Sequence, residues 1–257
     1  MPPREGTSPV VVPARDAWFT WLGAWAVGQV LAVLVAGASG ASTIAEAGAG
    51  WLVVTAVVGW VPLLVGVHLV TLRHAAGHAT GHAAGQATGP AAGRPSTAAQ
   101  RIGLSFRMSD LVGVPLGVAV QVVALPALYW PLRQVFPDAF SLDDVERRAR
   151  ELYDGTSAGS GIILLVLVVV VGAPLVEEIV YRGLLQGSLV ARWGRTWGLW
   201  SVAVWFALVH FQPVEIPGLL AVALVFGWLR DRTGRLGASI LTHMAFNAAG
   251  LWLVAGS

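Results

Sequence analysis

The stretch Ile162–Val176 is fifteen residues long, contains no polar side chain, and ends in two adjacent glutamates, Glu177 and Glu178. About 20 consecutive apolar residues carry a helix across a bilayer, and the chain offers several runs of this kind. Hydrophobic residues make up 56% of the sequence and charged residues only 12%, too few to cover the surface of a soluble protein of 257 residues. The fold class this implies is all-α, a polytopic transmembrane helix bundle of about seven spans (six to eight by the same pattern). The candidate spans are Ala17–Ala38, Gly50–Leu72, Leu111–Leu132, Ser160–Leu185, Thr196–His210, Ile216–Leu229 and Leu236–Val254.

The first span follows a polar segment with Arg4 and Arg15 and ends near Ala36-Gly37-Ala38, which mimics a signal-peptidase site. Its apolar core exceeds the usual 7–15 residues of a signal peptide, so it reads as a retained anchor. Arginine placement then orients the chain by the positive-inside rule. Arg4 and Arg15 precede span one, Arg73, Arg94, Arg101 and Arg107 follow span two, Arg192 and Arg195 follow span four, and Arg230, Arg232 and Arg235 follow span six. The segment after span one and those after spans five and seven carry no arginine. Only the loop 133–159 breaks the pattern, and its four arginines are outnumbered by six acids. The expectation is a multi-pass plasma-membrane protein with a cytoplasmic N-terminus. The absence of lysine and the Ala, Val and Gly bias suggest a bacterial source. A pI near 9.7 rests on a net charge of only +2, so nucleic acid is not an expected partner; the bilayer is. With no cysteine, neither a disulfide framework nor a thiol nucleophile is available.

Three regions follow: 1–72, a polar tail and two spans; 73–109, an Ala/Gly/His-rich cytoplasmic linker; and 110–257, a membrane bundle. The linker holds a degenerate tetrapeptide repeat from His74 to Gly93. His74, His78 and His82 would form one metal-binding stripe on a helix, but a glycine every fourth residue weakens that helix, and a flexible connector is the better reading. Ser141–Tyr153 opens with a serine and has acids early and arginines late, the pattern of a capped, dipole-matched helix at the membrane surface.

The chemistry is concentrated near the paired glutamates. Ionised carboxylates at membrane depth cost several kcal/mol, about 2.5–3.5 on insertion scales, and mark function by default. Neighbouring helical residues point about 100° apart, so the two glutamates face different surroundings. Arg182 stands four residues after Glu178, the favourable acid-before-base order. Glu178 and Arg182 are expected to neutralise each other, leaving Glu177 in a desolvated cavity as a proton acceptor. Downstream, His210 lies one turn after Phe206, and His243 and Asn247 share a face of the last span. A carboxylate, two imidazoles and an amide in one bundle core could activate water and stabilise an oxyanion. Glu177, His210 and His243 could equally ligate Zn²⁺, with an open position for water.

Glu-Glu-x-x-x-Arg at 177–182, Phe-x-x-x-His at 206–210 and His-x-x-x-Asn at 243–247 fall in that order on successive spans. Together they resemble the CPBP family of intramembrane proteases, which includes type II CAAX prenyl endopeptidases and Abi bacteriocin-processing or immunity proteins. The resemblance covers a family-like core at 160–254 and implies an endopeptidase acting on a peptide or protein at the membrane through glutamate-activated water. It makes Glu177 the base, Glu178 and Arg182 its support, His210 and His243 metal ligands or direct catalytic groups, and Asn247 an oxyanion or supporting donor. A zinc-dependent and a metal-independent mechanism both stay open, as does a non-catalytic immunity or partner-binding protein on the same scaffold.

Other protease signatures are weak. Gly37-Ala38-Ser39-Gly40 and Gly155-Thr156-Ser157-Ala158-Gly159 match serine-protease patterns of the kind a Gly/Ala-rich chain produces by chance. One difficulty follows from the spans themselves: Glu177 falls below the midpoint of span four and His210 near the far end of span five, a depth mismatch of roughly 10–15 Å. Pro174 and the short Phe211–Pro217 connection are the places where the chain could correct it.

Overall fold

The computed structural model describes residues 11–42, 44–83, 102–141 and 143–256. These form eight helices: α1 (Ala14–Ser39), α2 (Ala49–Ala83), α3 (Met108–Val135), α4 (Asp143–Thr156), α5 (Gly161–Trp193), α6 (Arg195–Leu208), α7 (Pro213–Thr233) and α8 (Gly237–Ala255). A helical turn at Ile44–Ala47 joins α1 to α2. Six of the helices are long and apolar enough to cross a membrane, and the protein is an all-α, multi-pass membrane bundle.

Six crossings lie within the expected range, and the candidate span Thr196–His210 is the short one. Helix α6 has 14 residues, about 21 Å at 1.5 Å per residue, against a hydrocarbon core of about 30 Å. Sequence hydropathy does not see this shortfall, because the apolar run continues through Val209 while the helix does not.

The linker expectation also changes. Helix α2 runs through the first repeats to Ala83, so residues 74–83 extend a span. Elongating an existing helix adds one hydrogen bond per residue without a new nucleus, which offsets the glycine penalty. His74 Nε2 lies 2.8 Å from Asp16 Oδ2, tying the far end of α2 to the start of α1. The remainder of the repeat, 84–93, the linker as far as 101, and the side chains of His78 and His82 lie outside the described residues, so the metal-stripe reading does too. Helix α4 forms as expected, with Ser141 Oγ accepting the Asp143 N–H at 3.3 Å.

Packing relies on small residues, as it must where lipid supplies no hydrophobic drive between helices. A Cβ at Gly28 would sit 2.7 Å from the Gly59 carbonyl, so α1 and α2 touch backbone to backbone. Gly113 and Gly117, a G-x-x-x-G pair on α3, abut Ala238, Thr242 and Ala245 of α8 in the same way. Asp110, 1% exposed, holds the start of α3 against the α7–α8 turn through Arg235 Nη2 at 2.5 Å. The shared core joins α1 to the later helices: Trp21 is buried with Tyr181, Leu185, Leu189, Val202 and Phe206.

Candidate active site

Helix α5 changes pitch where the glutamates fall. It is α-helical over Ala173–Glu177 and widens to π-helical turns over Glu178–Gln186, with an earlier wide segment at Val166–Gly172. Such bulges are uncommon and frequent at functional sites. Pro174 contributes to the cause. In the wide register the Ala173 N–H reaches the Val168 carbonyl, so the Val169 carbonyl would be met by residue 174, which as proline has no N–H. Asn247 Nδ2 donates to that carbonyl at 2.8 Å, pinning α8 to α5.

The two glutamates diverge as the helical angle requires. The Glu178 side chain is 0% exposed and that of Glu177 27%. Glu178 Oε1 lies 3.0 Å from Arg182 Nη1 and 3.0 Å from His243 Nδ1, so a single oxygen serves both partners. An ionised carboxylate only accepts, which places the hydrogen of His243 on Nδ1 and leaves Nε2 as the other reactive nitrogen. That Nε2 is 3.8 Å from Glu177 Oε2. His243 therefore bridges both glutamates, a partner of Glu178 beyond the expected pairing with Arg182.

Arg182 is 1% exposed and lies between two rings, its Cζ 4.6 Å from the Phe206 centroid and 5.3 Å from that of Phe226. Its Nη2 donates to the Ala223 carbonyl at 3.3 Å, linking α5 to α7. Phe226 also stacks on His243 at 4.5 Å and 22°. Phe226 and Tyr181 are aromatic walls that sequence reasoning missed. Phe226, one residue in an apolar span, carries no sequence signal of this role; Tyr181, beside Arg182 in the motif, could have been found from it.

The depth mismatch disappears because α5 is longer than the apolar run suggested. It continues to Trp193 and turns at Gly194, φ 80°, a conformation that favours glycine. A Cβ at Gly198 would lie 2.5 Å from the Val190 nitrogen, so α6 returns tightly along α5. Glu177 stands seventeen residues before that turn and His210 sixteen after it, so the two return to a similar depth. Tyr181 and Phe206 meet at 5.1 Å in the same register.

His210 packs on Phe206 at 4.6 Å, and His243 faces the same ring at 6.3 Å. His210 Nδ1 is 2.6 Å from the Phe206 carbonyl; a carbonyl only accepts, so Nδ1 carries the hydrogen and Nε2 is the nitrogen left for chemistry. Among the described residues no group of three or more His, Cys, Asp or Glu side chains is arranged to hold a metal ion. The set Glu177, His210 and His243 is thus not assembled as zinc ligands. The serines of the chance motifs lie elsewhere, Ser39 donating to the Ala36 carbonyl at 2.7 Å at the end of α1 and Ser157 in the α4–α5 turn.

Fold and site together define a polytopic α-helical membrane protein with a carboxylate–imidazole centre buried among its spans. Residues 159–249 match the family model described as Rce1-like, type II CAAX prenyl endopeptidase, consistent with the CPBP family. That segment contains Glu177, Glu178, Arg182, His210, His243 and Asn247. The match is confined to this C-terminal segment, and its description is that of an endopeptidase family. No curated protein and no solved structure matches the chain.

Proposed function

We propose that this chain is an intramembrane endopeptidase in which Glu177 and His243 together activate water. The observation that carries the reading is the 3.8 Å separation of Glu177 Oε2 and His243 Nε2, at the end of a chain of contacts anchored on buried Glu178. One water at about 2.8 Å from both atoms subtends an angle of about 85°, within hydrogen-bonding reach of each. Glu177 takes its proton, the hydroxide oxygen bonds to the peptide carbonyl carbon, and the carbonyl electrons move to oxygen. Collapse of that intermediate breaks the C–N bond as Glu177 returns the proton to the leaving amine. His243 Nε2 orients the water, and Glu178 holds the His243 tautomer. In its imidazolium form His210 keeps the Nδ1–H bond to Phe206 and offers an Nε2–H as donor to the developing oxyanion. Asn247 fixes α8, and with it His243, against α5. The steps so written use groups of this chain and one water alone.

The arginine-rich ends of the spans support a cytoplasmic N-terminus in a bacterial plasma membrane. The test is cleavage of one CAAX-type peptide, with and without a farnesyl group, by purified protein in liposomes, read by mass spectrometry. Glu177→Gln and His243→Ala should each lower the rate by about 10²–10⁴-fold, the usual worth of general acid–base catalysis. Wild-type rates in both variants would refute the assignment. Peptide binding without cleavage by the unmodified protein would favour a non-catalytic binding protein.

A further inference from the structure

The connection that follows His210 is held by residues outside the family-matched segment. Tyr129 of α3, 5% exposed, donates its hydroxyl hydrogen to the Val214 carbonyl at 2.8 Å and accepts the Gly218 N–H at 3.2 Å. One phenol oxygen therefore joins the middle of the turn Pro213–Glu215, which opens α7, to the helical turn that follows it. The fit leaves no slack, because a Cβ at Gly218 would lie 3.0 Å from that oxygen and 3.1 Å from Tyr129 Cε2.

A second tether reaches the same connection from α4, where Arg148 Nη1 donates to Gln212 Oε1 at 2.6 Å. Between His210 and Gln212 the backbone passes through Phe211 with φ 53°, left-handed for a residue with a bulky side chain. Such a conformation persists only where the surroundings over-determine it, and the tethers at 212, 214 and 218 are what do so here. Glu215, in the clamped turn, lies within electrostatic range of His210 and Arg148.

We propose that Tyr129 is a positioning residue for His210: its hydroxyl fixes the 211–218 connection and so sets where the His210 imidazole stands against Phe206. That His210 takes part in peptide hydrolysis rests on the reading above, whereas the clamp itself does not. The decisive variant is Tyr129→Phe, which keeps the ring and removes only the oxygen. Gly218→Ala is the second, since it crowds the same oxygen from the opposite side and leaves the hydroxyl in place. Two measurements are made on the full chain in nanodiscs: ¹⁵N-histidine NMR, with the His210 ring signals assigned by their loss in His210→Gln, and steady-state cleavage of the same peptide. Both variants are expected to shift or broaden the His210 ring signals while leaving those of His243 in place, and to lower kcat about tenfold with little change in KM or melting temperature. His210 signals that match wild type in both variants would overturn the proposal, as would an equal loss at His210 and His243, which is the mark of general loosening. If the wild-type protein cleaves nothing, the catalytic reading fails and the His210 spectrum still decides the clamp.

Discussion

Replacing Glu178 by glutamine should unfold this protein far more readily than the same change one residue earlier. Glutamine keeps the shape and an acceptor oxygen for His243 Nδ1, so the change isolates the charge facing Arg182. That guanidinium is 1% exposed, and its Nε and Nη1 have no hydrogen-bond partner of good geometry, so the 3.0 Å Coulombic contact with Glu178 Oε1 is their compensation. The Ala223 carbonyl and the faces of Phe206 and Phe226 remain after the change, but a desolvated cation–π contact contributes only about 2 kcal/mol. Breaking a buried ion pair from one side costs about 3–5 kcal/mol, and we expect Glu178→Gln to lose that much. Glu177 is 27% exposed and 3.8 Å from its neighbour, a geometry worth about 0–1 kcal/mol, so Glu177→Gln should stay close to wild type. Unfolding by SDS in mixed micelles, followed by fluorescence of the twelve tryptophans, measures both. The double variant Glu178→Met with Arg182→Met should recover most of the loss, since removing both charges of a buried pair is often neutral. Equal stability of the two single variants would refute the division of labour between the glutamates.

Two further outcomes test the fold and the chemistry. Gly117→Leu should separate α3 from α8, because even a Cβ there would overlap the Thr242 carbonyl and lie 2.9 Å from Ala245 Cβ; we expect a loss of about 1–3 kcal/mol or more in the same SDS assay, and unchanged stability would contradict the close backbone contact. Exhaustive dialysis against a chelator should leave peptide cleavage within about twofold, because three ligands do not converge at the site; a tightly bound metal whose removal abolishes cleavage would contradict the proposed chemistry.

Much of the site could be read from spacing alone. The i,i+4 order of Glu178 and Arg182 gave their pairing, and the angle between neighbouring helical residues separated Glu177 from Glu178. His243 and Asn247 were read as sharing one face of the last span, and in the structure that face meets α5. What failed were the helix ends nearest the site, whereas the ends of the first and last spans fell within three residues of those observed. Hydropathy stopped span four at Leu185 and extended the next to His210, and those two errors produced the depth conflict. Helix ends depend on capping and turn geometry, such as the left-handed Gly194 and Phe211, and hydropathy carries no information about either.

The sequence by itself determined the solvent and the groups available for chemistry. Apolar runs of bilayer length admit few structures other than membrane helices, and ionisable groups are too costly in that setting to be incidental. Only the tertiary structure decided how those groups are shared. It put His243 between both glutamates, set Arg182 against two phenylalanines, left the zinc ligand set unassembled, and brought Tyr129 and Arg148 to the His210 connection. Those relations join residues 24 to 89 positions apart, and a periodicity read within one helix has no means of predicting which neighbour another helix will present.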